Sequence, residues 1–478
     1  LTVSVETGSV LELDYLAGNT DTVLNLNLGG SAMAAGEYGH TNSGATNGGA
    51  GVGFYDAFFA ANTGIINNLG GDTTALGIAF YDGGNADLTG PGNAASSQTG
   101  GGTWDDTIKN WDIGTVDRAA WLNTGTSEGV FAGSIGKTVT LGSDVNIGTM
   151  TINSRNYRFN GTDTITFGPT GVINANTDNN RSRLAEFNCN VAGSDITLNG
   201  TGWIRIDGTA SFSSFTMNGS GGVGELPSGT YNGFGPGVLT INSGNFFSTN
   251  NDPTDIPNNM VWNGNFSVQN VSSSAKVLTF DGDVTLGGNV TVSAKHRVDL
   301  DGVISDGGGN YQIRIQDSGG GANFHFNGAN TFGGGVWWSE DSITINNAAG
   351  LGTGTFRIDG ALGTMDNKSG GAITLSTNNP VSIDDNFTFA GTNDLNLGTG
   401  TVTLTRDGRT FTVNAGTLTF GGPVVANAGS RPFTKAGAGT LALGGANTYT
   451  GTTSVNAGTL ALLSGSQASP ITVGASGT

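Results

Sequence analysis

The sequence predicts an all-β protein that consists mainly of a β-solenoid, with a smaller β segment at the N-terminus. Gly supplies 84 of the 478 residues and charged residues only 12 %, against about 7 % and about 25 % in ordinary globular proteins. Stretches rich in Ala, Leu, Glu and Lys with a helical period are missing. From about Val130 onward, short segments of alternating apolar and polar residues follow one another, separated by Gly, Asn and Asp.

Each of these segments predicts a strand with one face inward, and the residues between them tolerate tight turns. Representative strands are 138–141, 145–147, 149–152, 163–167, 195–198, 284–286, 290–292, 298–300 and 401–404. Their even spacing is compatible with a propeller, stacked sandwiches or a parallel β-helix. No blade signature of about 40 residues recurs, and no polar linkers separate sandwiches between 130 and 478. A solenoid needs only local periodicity, so we predict a parallel β-helix with about 20 residues per coil.

The charge balance narrows the range of partners. The net charge is −19 and the sequence pI is near 4.3, which argues against nucleic acid because neutralising phosphates requires clustered Lys and Arg. The negative charge also disfavours binding to anionic membrane surfaces. The sequence lacks a run of about 18 apolar residues, so we do not predict that this segment inserts into a membrane. The single cysteine, Cys189, rules out an intrachain disulfide; we interpret it as a small buried residue.

Residues 433–463, which read FTKAGAGTLALGGANTYTGTTSVNAGTLALL, carry the most specific motif in the chain. A weaker copy lies at 323–335, and residues 412–420 repeat the style of 454–462. This pattern resembles the autotransporter-associated β-strand repeat, also called the passenger-associated repeat. The resemblance implies a right-handed parallel β-helix of an extracellular, secreted or bacterial surface protein. Since that family shares no catalytic residues, the resemblance implies no enzyme, cofactor or metal site.

The N-terminal part suggests a permuted order of segments. Residues 1–85 resemble the closing part of such repeat proteins, and we interpret them as an N-terminal β segment and a possible region of strand addition. Residues 86–102 form a Gly/Ser/Asn-rich joint, and residues 103–478 are predicted to form the β-helix. The strand pattern of residues 470–478 continues in residues 1–5. If the two ends were joined, they would form an unbroken run of β-helix strands.

These ends suggest that the final coil of one copy pairs with the N-terminal strands of the next. The partner would then be a second copy of the chain, joined head-to-tail either non-covalently or within a covalent tandem array, because a contact between two different surfaces that does not close builds a filament. Alternatively, the first 15 residues cap their own chain. The predicted subunit contacts are Leu1, Val3, Val5, Val10, Leu11, Leu13, Ile471 and Val473.

Two other functions stay open at this point. The second hypothesis is a monomeric, adhesin-like rod that binds glycans or a cell surface, for which aromatic residues are the candidates. The third is a polysaccharide-active enzyme, which would need paired carboxylates on an exposed sheet face. The candidate residues are the pairs Asp281/Asp283, Asp299/Asp301 beside Arg297 and Asp384/Asp385, the histidines His40, His296 and His325, and the tryptophans Trp104, Trp111, Trp121, Trp337 and Trp338.

Overall fold

The computed structural model describes seven short strands within residues 1–77 and most of the chain from residue 78 onward. The described ranges after these strands are 78–84, 101–112, 119–133, 136–180, 183–248, 253–270, 276–360, 363–463 and 466–478. These residues form 45 strands, β1 to β45 in chain order, and no helix. Accordingly, no described helix has the length and hydropathy needed to cross a membrane.

Two small sheets lie in the N-terminal part. The three-stranded sheet has the order β1-β3-β4 and the four-stranded sheet the order β2-β7-β5-β6. Their strands are β1 (Thr2–Val5), β2 (Thr20–Val23), β3 (Asn25–Leu28), β4 (Ser31–Ala32), β5 (Gly36–Gly39), β6 (Gly53–Phe54) and β7 (Ile65–Asn68).

A 22-stranded sheet begins at residue 78 and runs along the solenoid. Its strands are β8 (Ile78–Tyr81), β9 (Gly102–Trp104), β10 (Trp111–Asp112), β11 (Glu128–Phe131), β12 (Thr138–Leu141), β13 (Val145–Ile152), β14 (Arg158–Ala175), β15 (Ala185–Gly200), β16 (Trp203–Ile206), β17 (Ala210–Val223), β19 (Val238–Ser248), β21 (Met260–Trp262), β22 (Phe266–Asn270), β24 (Val284–Leu286), β25 (Val290–Ala294), β27 (Ile304–Ser305), β28 (Ile313–Asp317), β30 (Val336–Trp338), β32 (Phe356–Ile358), β35 (Val381–Ile383), β38 (Val402–Leu404) and β41 (Val424–Ala426).

A 16-stranded sheet completes the coils from Gly229 onward, in about the C-terminal half of the chain. Its strands are β18 (Gly229–Thr230), β20 (Thr254–Ile256), β23 (Val277–Phe280), β26 (Arg297–Leu300), β29 (Asn323–Phe326), β31 (Ser342–Ile345), β33 (Gly363–Asp366), β34 (Ile373–Thr374), β36 (Phe387–Phe389), β37 (Leu395–Asn396), β39 (Arg409–Val413), β40 (Thr417–Phe420), β42 (Phe433–Ala436), β43 (Thr440–Leu443), β44 (Thr453–Leu462) and β45 (Ile471–Gly477).

Successive coils pair in parallel, which confirms the predicted all-β parallel solenoid. The solenoid has about 14 turns, fewer than a 20-residue coil would produce, because the coils are longer. Paired residues on successive coils lie 28 apart at Phe159 and Phe187, and 18 apart at Val455 and Val473. The difference arises in the turns, whose length can vary while the strands stay in register.

The core is a stack of apolar side chains that repeats from coil to coil. Alternation along each strand turns every second side chain inward, as in Val381–Ile383, where the two end residues are buried and Ser382 is not. Near the C-terminus, Phe411 lies between Phe387 and Phe433, with ring centroids 5.1 and 4.8 Å away. Aromatic packing at these distances adds to the burial of apolar area.

All but one of the candidate tryptophans, and the cysteine, are buried in the core. Trp104, Trp111 and Trp121 are buried together at the N-terminal end of the solenoid, with centroids 4.4 to 5.5 Å apart. Of the adjacent pair on β30, Trp338 is buried in the core, whereas Trp337 lies on the outer face. Cys189 is buried among core residues, as expected.

An asparagine ladder connects the coils on the outside of the 22-stranded sheet. Asn199 donates to Asn174, Asn218 to Asn199, Asn242 to Asn218 and Asn263 to Asn242, over 2.8 to 3.4 Å. Each amide donates to the coil before it and accepts from the coil after it, so the ladder holds the register of five consecutive coils.

Replacing the central asparagine should loosen this register. We expect Asn218→Ala to lower the free energy of unfolding by about 1–2 kcal/mol, since it removes one hydrogen bond donated and one accepted. Urea unfolding followed by far-UV circular dichroism measures the effect. Ser220→Ala is the control, because that exposed side chain lies two residues away. Equal stability of the two variants would show that the ladder contributes nothing measurable.

Candidate assembly surface

Four of the eight predicted contact residues fall on two edge strands, β45 and β1. Ile471 and Val473 lie on β45, which pairs only with β44 among the described residues. Val3 and Val5 lie on β1, where they pair in parallel with Leu26 and Leu28 of the same chain. The other four predicted contacts, Leu1, Val10, Leu11 and Leu13, lie outside the described residues.

A polar network fastens the final coil to the solenoid. Tyr449 is fully buried, and its hydroxyl lies 2.6 Å from Thr453 Oγ1, which lies 2.9 Å from Ser469 Oγ. Gln467 donates to the Tyr449 hydroxyl over 2.8 Å and accepts from Asn447 over 3.0 Å. These contacts attach the segment before β45 to the preceding coil. One edge of β45 pairs with β44, and the other edge points away from the solenoid.

An interior column of the solenoid becomes exposed at this end. Phe387, Phe411, Lys435 and Val455 occupy consecutive paired positions, and all four are buried. Val473 continues this column but is 57 % exposed, because no described strand pairs with the outer edge of β45. An apolar side chain in that position loses the burial that stabilises every coil beneath it.

Other apolar side chains of the last coil share this exposure. Leu462, Leu463 and Ile471 are exposed by 49 %, 62 % and 37 %. Seven large apolar side chains are exposed in the part of the chain that the structure describes, and these three together with Val473 make up four of them. We call Leu462, Leu463, Ile471 and Val473 the terminal apolar surface.

The terminal apolar surface has no protecting charge. From Ala436 to Thr478 the sequence contains no Asp, Glu, Lys, Arg or His, although the chain has 55 charged residues in total. In native sheets, Lys or other charged side chains on an exposed edge strand prevent that strand from pairing with a strand of another chain. β1 is also uncharged. Both edge strands therefore lack this common defence against pairing.

The asparagines of the repeat motif make hydrogen bonds between coils. The sequence alone did not indicate this role. Asn447 accepts a hydrogen bond from the backbone N–H of Val424, and Asn330 accepts one from that of Ile304, over 2.9 and 2.8 Å. Both asparagines are buried and precede a buried aromatic residue by two positions. The recurring Gly-Ala-Asn-Thr-aromatic pattern was the available signal.

Lys435 is a second feature that was missed. Its side chain is fully buried in the interior column, and Nζ donates to the carbonyls of Ala436, Gly437 and Ala457 over 2.8 to 3.0 Å. Burial lowers the pKa of Lys435 to about 8. Because Ala457 belongs to the next coil, the ammonium group connects β42 to β44.

Five of the six candidate carboxylates make contacts with other parts of the solenoid. Their oxygens accept hydrogen bonds from basic side chains, from Asn327 and from the Val303 backbone N–H. The contacts are Asp299 with Arg297 at 2.7 Å, Asp384 with Arg357 at 2.6 Å, Asp385 with Arg409 at 3.3 Å, Asp301 with Asn327 at 2.5 Å, and Asp283 with Val303 at 2.8 Å. Burial raises the pKa of Asp281 and of Asp299.

The histidines are also separated. His296 and His325 are buried on different coils, and His40 lies outside the described residues. His325 Nδ1 lies 3.6 Å from Asp299, but burial, and after it Arg297, lower the pKa of His325 to about 3. Across the described ranges, no three His, Cys, Asp or Glu side chains are placed to hold a metal ion.

Parallel coils around a continuous apolar core define the class of this protein, a β-solenoid. Residues 433–462 match the passenger-associated-transport-repeat family, in agreement with the predicted repeat at 433–463. This segment is similar to the repeats of autotransporter passenger β-helices, and the repeat suggests a secreted or surface protein. Neither the curated proteins nor the solved structures include a match.

Proposed function

We propose that the chain is a non-enzymatic structural subunit that assembles head-to-tail outside the cell into a filament or stalk. The observation that carries this proposal is the uncharged terminal apolar surface, which is formed by the edge strand β45 and the end of β44. A further parallel strand over β45 would cover Val473 and continue the interior column that ends there. Burying one such side chain contributes about 1.5–3 kcal/mol.

The proposed occupant of this surface is the N-terminal segment of a second copy. β1 is a parallel, uncharged edge strand, so its pairing geometry is the same as that between coils. Its sequence, Thr-Val-Ser-Val, alternates polar and apolar residues in the manner of β45 and β44. A contact between two different surfaces of one chain extends without closing, and so produces a filament.

The test is assembly of the purified chain over a range of concentrations, followed by light scattering and negative-stain electron microscopy. We expect filaments whose axial repeat is at least roughly 70 Å, the length of about 14 turns at about 4.8 Å per strand step. Val473→Lys, and deletion of residues 1–15, should each abolish assembly, since one places a charge on the joint and the other removes its partner strand.

Val303→Lys is the matched control, because Val303 is also partly exposed but lies in the turn between β26 and β27, far from β45 in the chain. It should assemble like the unmodified chain. Uniform short rods of the unmodified chain at every concentration would overturn the proposal. Filaments that persist in Val473→Lys would place the contact elsewhere.

A further inference from the structure

A polar groove crosses the outer face of the 22-stranded sheet, far along the chain from the terminal apolar surface. It has a volume of about 310 Å³ and is lined by Asn265, Asn289, Val290, Thr291, Gln312, Arg314 and Trp337. On three consecutive strands, Thr291 pairs with Arg314 and Arg314 with Trp337. The lining side chains follow the solenoid axis from β22 to β30, over three strand steps or roughly 15 Å.

Arg314 is held in place without a carboxylate partner. Its guanidinium lies 4.2 Å from the ring centroid of Trp337, and Nε donates to Ser339 Oγ over 3.3 Å. Arg357 covers the other face of Trp337 at 4.3 Å, but it is paired with Asp384 and Asp359. Among the described residues, Arg314 makes no ion pair with Asp or Glu. The groove that it lines therefore carries an uncompensated positive charge.

The amides of the groove are oriented as donors. Asn289 Oδ1 accepts from the Gln312 backbone N–H over 2.8 Å, and Asn265 Oδ1 accepts from the Thr291 backbone N–H over 2.7 Å. Each oxygen is bound to the backbone, and both residues line the groove with Nδ2 as their side-chain donor. These nitrogens and Gln312 Nε2 donate to no other described residue, so the row offers hydrogen-bond donors and one positive charge.

We propose that this groove binds a segment of an acidic polysaccharide. A uronate carboxylate would accept a bidentate pair of hydrogen bonds from Arg314, the geometry that a guanidinium fork favours. Hydroxyl oxygens of the same and neighbouring sugars would accept from Asn289, Asn265 and Gln312. The site is separate from the joint between copies, and so does not depend on filament assembly.

The donor-rich lining favours a sugar over an acidic peptide. A peptide brings backbone N–H groups that each require an acceptor, whereas one lone pair of Asn265 Oδ1 and of Asn289 Oδ1 is already used, and Thr291 Oγ1 and Gln312 Oε1 are the other side-chain acceptors along the row. A sugar hydroxyl can accept in the same position. The groove also contains no carboxylate among its lining residues, although the chain carries a net charge of −19. Asp359, which accepts from Trp337 Nε1 over 3.2 Å, is paired with Arg357 at 3.0 Å, so its charge is compensated.

Isothermal titration calorimetry with hexagalacturonate tests the proposal on the full chain. We expect binding to the unmodified protein, and at least about tenfold weaker binding to Arg314→Gln, the factor that one charged hydrogen bond supplies. Asn289→Asp should weaken binding by a similar factor. It keeps the acceptor that holds Gln312 but replaces the donor by a carboxylate, so it tests the site even if the Arg314 variant folds poorly.

The chain offers a matched control in a second groove of about 280 Å³, where Arg155 is paired with Asp178 at 2.9 Å. Arg155→Gln should bind hexagalacturonate like the unmodified protein, and the neutral cellohexaose should bind at least about tenfold more weakly. Absence of hexagalacturonate binding, or equal binding by Arg314→Gln and Asn289→Asp, would overturn the proposal. Polyglutamate that binds as tightly, with the same dependence on Arg314, would overturn the assignment to a polysaccharide.

Discussion

Phe411→Ala is expected to lower the free energy of unfolding of the C-terminal coils by about 3–5 kcal/mol. Phe411 is fully buried and contacts the rings of Phe387 and Phe433 on the coils before and after it. Truncation leaves a cavity that neither neighbour can fill, because both are held by their own strand pairs. In a solenoid each coil is stabilised chiefly by its neighbours, so the loss weakens two interfaces at once.

Native-state hydrogen exchange measures this effect locally. In Phe411→Ala, the free energy of opening measured at the amides of β39 to β44 should decrease. The amides of β12 to β17 should keep their protection, because exchange reports the stability of each cooperative unit separately. Thr412→Ala is the control on the same strand, with its side chain outside the core, and should change stability by no more than about 0.5 kcal/mol. Equal loss of protection along the whole solenoid would contradict local coupling and indicate one cooperative unit.

The second large effect is a rise in stability with pH that depends on Lys435. Its pKa is lowered to about 8 in the folded chain, against about 10.5 for an exposed lysine. Between these values the unfolded chain holds a proton that the folded chain has released, so the free energy of unfolding increases with pH. The increase should total about 3 kcal/mol, at 1.36 kcal/mol for each pKa unit. Below pH 8 both states are protonated and this contribution is constant.

Comparison with Lys435→Met isolates the lysine. Burial raises the pKa of Cys189, Tyr81 and Tyr231, which lowers stability as pH rises further, so the unmodified chain alone would give a mixed profile. The difference in exchange protection of β42 and β44 between the two proteins should increase from pH 8 to 10.5. A difference that stays constant over this interval would show that Lys435 titrates normally, and that its contacts with the three carbonyls compensate for burial.

Much of the fold was predictable because its determinants are local. The alternation in segments such as 138–141 predicts strands, and Gly, Asn and Asp between them predict turns. The repeat at 433–462 was equally visible, since its motif lies within one stretch of chain. Alternation along a strand also allows only one of the adjacent Trp337 and Trp338 to face inward, and Trp338 is the buried one.

The candidate sites were less predictable because they combine residues from different coils. Asp384 looked like half of a carboxylate pair, yet it binds Arg357, which lies 27 residues earlier in the chain. Arg314 had no distinguishing motif, and only its stacking on Trp337 and its lack of an ion pair among the described residues set it apart. The exposure of Leu462 and Leu463 also depends on which coil is last in the described solenoid.

By itself, the sequence determined the all-β composition, the strands and turns of the solenoid and the passenger-associated repeat, because strand period and turn chemistry act over a few residues. Only the tertiary structure decided which side chains meet, since coils of 18 to 28 residues bring distant positions into register and no local pattern encodes the length of the next turn. That register places Val473 on an uncovered column and Arg314 in an open groove. Both proposals therefore depend on contacts between coils, and not on any motif within one.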